Sequence, residues 1–252
     1  PAPLGRDLFD ALPRLITFSL CRPPELSTIL WALASCGVST PSLFSSAAIA
    51  IGPHLQHTID MAAASAATTA ASAAGGAASG GGTDTPTPAG AAGNPAAAPA
   101  AASASPASNG RSTVLPRDAA AVAWAFAMAR QHEPQLMRML LRVCRGRARS
   151  LSPPELSDVL YAAVWCGMPL RSSLLVDIFK DASSALSRSG MQTLTPPQLV
   201  RLAWALSAWG VRSHVALHAD LLASVQSRKQ LLSLGDLGLL ATTYAAAAAE
   251  GQ

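Results

Sequence analysis

The apolar positions of the chain recur at helical spacing in segments that resemble one another. The clearest apolar stripe consists of Leu26, Ile29, Leu30 and Leu33. Intervals of three and four residues place such side chains on one face of a helix. A proline pair precedes the stripe and a glycine follows it, and these residue types begin and end helices. The pattern therefore predicts a helix between Pro23 and Gly37.

The same pattern occurs in three strong copies and two weaker ones. The strong copies open at Pro23-Pro24, Pro153-Pro154 and Pro196-Pro197, and the weaker ones open at Pro116 and Ser233. Once about fifty extra residues after the first copy are set aside, the period is about 38 to 43 residues. A period of this length predicts an all-α fold, an α-solenoid of stacked helix–turn–helix repeats.

Each repeat is expected to contribute two helices. The first helices are predicted at 23–36, 117–130, 153–166, 196–209 and 235–249, and the second helices at 41–61, 133–146, 169–188 and 212–232. Ser152 and Thr195 precede two of the proline pairs and are typical N-cap residues. A lone second helix near Asp7–Leu20 and a final first helix without a partner lead us to expect a piece of a longer solenoid.

One column of the repeat holds a large ring and the next holds an alanine. The rings are Trp31, Trp124, Tyr161 and Trp204, and the alanines are Ala32, Ala125, Ala162 and Ala205. A large ring beside a small residue is typical of close helix packing, so we expect the rings to be buried. The alternative is that the rings stack on nucleic-acid bases.

Composition divides the chain into three parts. Residues 62–110 contain almost only Ala, Gly, Ser, Thr and Pro, and their single charge is Asp84. Such a segment cannot bury enough apolar surface to fold, so it is predicted to be a disordered insert, with a helical extension over 62–74 as its start. Residues 1–61 and 111–252 are predicted to form one solenoid that the insert interrupts.

Positive charge is concentrated after the insert. The net charge is only +4, but residues 111–149 carry eight arginines against Asp118 and Glu133. Arg138, Arg142, Arg145 and Arg149 are spaced to share one helix face, and Arg147 lies beside them. Arginine favours bidentate contacts to phosphate, so this face is a candidate for binding an RNA backbone. The alternatives are a solvated surface and a compositional bias toward arginine.

A variable pair of residues lies early in each first helix. It reads Ser27-Thr28, Ala120-Ala121, Ser157-Asp158, Val200-Arg201 and Gly238-Leu239. In modular repeat proteins, a few side chains per repeat read one base. The polar members, Ser27, Thr28, Ser157, Asp158 and Arg201, are therefore candidate base-reading residues. The alternative is that surface positions vary without any function.

The proline pair followed by Glu or Gln, the Leu-Trp-Ala-Leu core and the closing glycine resemble the octotricopeptide repeats of green algae. The motif is clear at 23–38, 153–168 and 196–211, and weaker at 116–131 and 233–248. Similar repeats occur in RAP-domain proteins. The resemblance implies an organellar RNA-binding protein, in the chloroplast first and the mitochondrion next. Such proteins act in RNA stabilisation, processing, splicing or translation.

Other classes of function have less support in the sequence. A scaffold that binds proteins of an organellar ribosome or another ribonucleoprotein is the main alternative, because a fold does not fix a function. No catalytic set or phosphate-binding loop is recognisable, so we expect neither an enzyme nor a cofactor. His214 and His218 are spaced like a metal pair but lack a third ligand. The four cysteines are expected to be buried and reduced, and no membrane span is expected.

Overall fold

The computed structural model describes residues 16–75, 112–169, 172–186, 188–209 and 215–249. Within these ranges the regular elements are α-helices and short 3₁₀ turns, with no strand. The helices are α1 Pro23–Ser35, α2 Pro41–Gly75, α3 Pro116–Met128, α4 Pro134–Gly146, α5 Pro153–Trp165, α6 Ser173–Ala182, α7 Arg188–Gln192, α8 Pro196–Ala208, α9 Val215–Ser227 and α10 Leu234–Ala249. The all-helical prediction is confirmed for the described residues.

The helices pack in two layers. The first layer is the row α1, α3, α5, α8 and α10, in which each helix contacts the next. The second layer contains α2, α4 and α6, which contact one another in the same order. The layers are joined by contacts such as that between α3 and α4. This arrangement is compatible with a helical solenoid, and the five first-layer helices are those predicted from the repeated motif.

Proline and an acceptor side chain define where the first-layer helices begin. The Ser152 backbone N–H donates to Glu155 Oε2 at 2.7 Å, and the Thr195 N–H donates to Gln198 Oε1 at 3.0 Å. Ser152 and Thr195 are N-cap residues as predicted, and each forms a capping box with the third residue of its helix, Glu155 or Gln198. In α5 and α8, the third helical residue therefore closes the helix start by accepting a hydrogen bond from the N-cap backbone.

Left-handed residues follow α1, α3 and α5 of the first layer. Gly37 and Gly167 have φ of 77° and 66°, and the next residues, Val38 and Met168, donate back to Leu33 O and Ala163 O. The turn after α3 has the same hydrogen bonds, but Arg130 occupies the glycine position with φ of 56°. The third predicted glycine, Gly210, lies outside the described residues.

Burial differs between copies of the same position. Trp124 and Tyr161 are buried as predicted. The prediction is wrong for Trp31, whose ring is 51% exposed, and for Trp204, which is half-buried. Ala32 is likewise exposed, whereas the other three alanines of its column are buried. The first-layer rings therefore lie at the border between the core and the outer surface.

Several second-layer predictions also need correction. The helix predicted at 41–61 continues to Gly75, in agreement with the helical extension expected at the start of the insert. The helix predicted at 169–188 is shorter, Ser173–Ala182, and a 3₁₀ turn over Ser183–Leu186 follows it. Ser183 donates to Lys180 O at 3.1 Å, and serines that bond to the local backbone disfavour a continued helix.

In the segment near Asp7–Leu20, only a 3₁₀ turn over Phe18–Leu20 is described. Residues 76–110 of the predicted insert lie outside the described ranges.

Candidate nucleic-acid interface

The arginines predicted to share a helix face lie on α4 and in the turn after it. All five, Arg138, Arg142, Arg145, Arg147 and Arg149, are exposed, and we call them the arginine ridge. The opposite side of α4 is buried and consists of Leu136, Met137, Leu140, Leu141, Val143 and Cys144. Because apolar packing fixes α4, the ridge arginines are held on the outer face of the second layer.

Most of the ridge lacks an acidic partner. Arg145 forms an ion pair with Asp177 of α6, with a nitrogen–oxygen distance of 2.7 Å. The other four ridge arginines form no ion pair with any residue in the described part of the chain. Arg145 therefore helps to hold α4 against α6, and the other four present charges that an anion can neutralise.

Two concavities adjoin the ridge. One, of about 540 Å³, lies between α2 and the end of α4, and Arg142 and Arg147 are among the residues that line it. The other, of about 490 Å³, lies beside the start of α6 and includes Arg138 and His132. The ridge arginines therefore reach into grooves as well as into open solvent.

The variable pair of the first-layer helices divides between the core and the surface. Its first member is buried in the first four copies, as Ser27, Ala120, Ser157 and Val200. Ser157 Oγ donates to Gln198 O of the next first-layer helix at 3.0 Å. Ser27 Oγ donates to Pro24 O of its own helix at 2.9 Å and lies 3.4 Å from Asp118 Oδ1 of the next one. Two of the candidate base-reading residues, Ser27 and Ser157, are therefore buried, and the Ser157 hydroxyl joins two adjacent helices.

The second members of the pair lie nearer the surface. Thr28 is exposed, and its hydroxyl donates to Pro24 O at 2.8 Å. Asp158 and Arg201 are half-buried and face each other between α5 and α8, 3.8 Å apart. Burial raises the pKa of Asp158 to about 6, although the charge of Arg201 acts in the opposite direction. Of the candidate base-reading residues, these three remain at the surface or its border.

A run of aromatic rings borders the outer face of the first layer. Trp31 stacks on Trp124 with ring centroids 6.0 Å apart. Tyr161, Trp165 and Trp204 form a second cluster, with centroid distances from 5.4 to 6.3 Å. We call these five rings the aromatic band. The sequence pattern missed Trp165, which lies one helical turn after Tyr161 and is 41% exposed; that spacing was the available signal.

Arginine side chains approach the aromatic band. The Arg201 guanidinium carbon lies 5.9 Å from the centroid of the Tyr161 ring, within the range of a cation–π contact. Burial raises the pKa of the Tyr161 phenol, and the charges of Arg201 and Arg130 act against that rise. Positive charge therefore lies close to the second aromatic cluster as well as on the ridge.

The cysteines and histidines of the described residues form no recognisable chemical site. No group of three or more potential metal ligands occurs in these ranges, and His214 lies outside them. Burial raises the pKa of Cys144 to about 12 and that of Cys166 to about 11, so both remain protonated thiols at neutral pH. Cys36 is exposed and Cys21 is half-buried, contrary to the expectation that all four cysteines are buried. None of the described helices is both long and apolar enough to cross a membrane.

The chain matches no protein-family model, no curated protein and no solved structure at a significant level.

Proposed function

We propose that the protein is an RNA-binding α-solenoid of helical repeats that acts in organellar post-transcriptional gene expression. The observation that carries this proposal is the arginine ridge, four of whose five cations are exposed and have no acidic partner among the described residues. Arginine contacts to phosphates supply affinity without reading sequence. On this proposal, the ridge holds the RNA backbone.

The solenoid supplies the surface on which a long ligand can lie. Five helices with the same motif form one row, and a second row packs on them in the same order. Rows of this kind create extended binding surfaces, and an insertion between repeats is tolerated on one face. We propose that the segment 62–110 is such an insertion, with its first part, through Gly75, helical.

The organelle and the step of gene expression rest on the resemblance to octotricopeptide repeats. On that basis the chloroplast is favoured and the mitochondrion comes next, and the step is RNA stabilisation, processing, splicing or translation. We propose no catalytic role and no cofactor for the described helices, whose polar clusters are ion pairs and helix caps.

Removing the unpaired ridge cations tests this function. The ridge variant replaces Arg138, Arg142 and Arg149 by Gln and leaves Arg145, which pairs with Asp177. The control variant makes the same change at three exposed cations outside the ridge, Arg117, Lys180 and Lys229.

The two variants have the same net charge, so a difference in their affinity for RNA reports where the removed cations lie. We expect the ridge variant to bind single-stranded RNA of any sequence at least about tenfold more weakly, whereas the control is weakened less. Equal affinity in the two variants and the unaltered protein would contradict the assignment of RNA to the ridge.

A second candidate function is a scaffold for other proteins of an organellar ribonucleoprotein. One observation favours it: Leu231, Leu234 and Leu237, at and before the start of α10, are exposed. Clustered exposed leucines are typical of protein-binding surfaces. Protein binding of this kind depends little on salt, so the salt dependence of complex formation separates the two candidates.

A further inference from the structure

We infer that the aromatic band is a second RNA-contacting surface, on which unpaired bases stack. This inference rests on the proposal that the protein binds RNA, and it adds a preference for single-stranded over double-stranded RNA. The band is Trp31, Trp124, Tyr161, Trp165 and Trp204, as defined above.

Three rings of the band are accessible to solvent. Trp31 and Trp165 are 51% and 41% exposed, and Trp204 is half-buried. Large rings are usually removed from water on folding, because their burial dominates core energetics. Here each exposed ring lies against another aromatic ring of the band, which holds its plane in place and leaves another part of it accessible. Rings held in this way are ready to accept a base.

The rings are also aligned along the solenoid. Position 31 in α1 corresponds to Trp124, Tyr161 and Trp204 in the next three first-layer helices, and Trp165 lies one turn further along α5. These helices contact one another in sequence, so the rings follow the long direction of the row. A band that runs along the row can meet successive nucleotides of one strand. It lies in the opposite layer from the ridge, so either surface can be altered separately.

Cations flank the second cluster of the band. Arg201 lies over the Tyr161 ring, and the exposed Arg130 is close enough for its charge to act on the Tyr161 phenol. Asp158 offsets part of the charge of Arg201, whereas Arg130 forms no ion pair with a described residue. Rings flanked by cations suit a ligand with flat bases and a negative backbone. A single-stranded nucleic acid meets both requirements.

The chemistry of the ligand follows from these features. Bases within a duplex stack on each other and do not offer their faces, whereas unpaired bases can stack on aromatic side chains. Stacking is tolerant of sequence because every base has a flat face. The band therefore distinguishes unpaired from paired RNA and does not by itself choose a sequence.

Comparison with an oligonucleotide that lacks bases isolates the contribution of base stacking to binding. We compare single-stranded oligo(U) with an abasic ribose-phosphate chain of the same length, because the two have the same charge. Trp31 and Trp165 are replaced together by Leu, which keeps an apolar contact, and in a second variant by Tyr, which keeps a ring. Ile49→Ala, at an exposed position of α2, is the control, and circular dichroism reports helicity.

We expect the unaltered protein to prefer oligo(U) and its tryptophan fluorescence to be quenched on binding. In the Leu variant, the ratio of the affinities for oligo(U) and the abasic chain should fall about fivefold to a hundredfold for each ring removed. The Tyr and Ile49→Ala variants should retain most of that ratio. If the double variant loses helicity, Trp165→Leu alone gives the same comparison.

The outcomes separate the two proposals. A preference for oligo(U) that survives in the Leu variant, or no preference in the unaltered protein, overturns the inference. The ridge variant should weaken binding of both oligomers and keep their ratio. If the unaltered protein binds neither oligomer, RNA binding itself is wrong and the inference fails with it.

Discussion

Arg130 occupies the position in the turn after α3 that Gly167 occupies in the turn after α5. Both residues have a left-handed backbone, with φ of 56° and 66°, and the following residue closes the same hydrogen bond to the helix. Glycine adopts this conformation freely, whereas a residue with a side chain is strained there. Arg130 therefore costs stability at a position beside the aromatic band.

The first prediction concerns this strain. Arg130→Gly should raise the free energy of unfolding by about 1 kcal/mol, because it removes the cost of a left-handed arginine. Gly37→Ala, at the corresponding turn after α1, should lower it by a similar amount through backbone strain alone, since no atom lies near the added methyl group. Urea unfolding measures both. No change, or a loss of stability in Arg130→Gly, would show that its side chain stabilises the turn.

The second prediction concerns the core. Phe126 is buried and contacts Phe44 edge-on, with ring centroids 5.2 Å apart, so α3 is joined to α2 through this pair. Phe126→Ala should lower the free energy of unfolding by about 3–5 kcal/mol. Trp31→Leu should lower it much less, because half of that ring is already exposed. Similar decreases in the two variants, measured by thermal or urea unfolding, would contradict the two-layer packing.

The third prediction concerns pH. Burial raises the pKa of Asp158 from 3.8 to about 6, so the folded protein holds this proton more tightly than the unfolded chain. The stability that protonated Asp158 contributes is fully present below the pKa of this carboxyl in the unfolded chain, and it is lost as the pH rises through about 6. Asp158→Asn, which cannot ionise, should therefore gain stability relative to the unaltered protein between about pH 4 and pH 7.

The midpoints of urea unfolding of the two proteins, measured at both ends of that pH range, show the direction of this change in stability. If the unaltered protein instead becomes more stable than Asp158→Asn as the pH rises, the attraction of Arg201 for the carboxylate is stronger than the cost of burying the charge. Arg201→Gln removes that attraction and should raise the pKa of Asp158 further.

The helix boundaries were predictable because proline and glycine restrict the backbone directly. The motif placed the first helix at 23–36 and the fourth at 196–209, and the structure has Pro23–Ser35 and Pro196–Ala208. The second helices carry weaker boundary signals. The serines after Ala182 end α6 early, and the alanines after residue 61 extend α2, so neither length followed from apolar spacing alone.

Burial within a repeated column was less predictable, because it depends on neighbours. Trp31 and Trp124 occupy the same motif position, but α3 has a described first-layer helix on either side and α1 has one on one side. Ser27 and Thr28 differ by about 100° around the helix, and only the packed row decides which of them faces it. The ridge followed from its spacing, whereas the pairing of Arg145 with Asp177 required the position of α6.

The central claim is that the arginine ridge binds the phosphates of RNA, and the salt dependence of affinity tests it most directly. Removing one cation that neutralises a phosphate of a single strand lowers the slope of log affinity against log salt by about 0.7. The unaltered protein and the variant lacking Arg138, Arg142 and Arg149 are titrated with the same single-stranded RNA over a range of salt concentrations. We expect a slope lower by about 2 in the variant, with unchanged helicity. An unchanged slope and affinity would contradict the claim and show that the ridge is only a solvated surface.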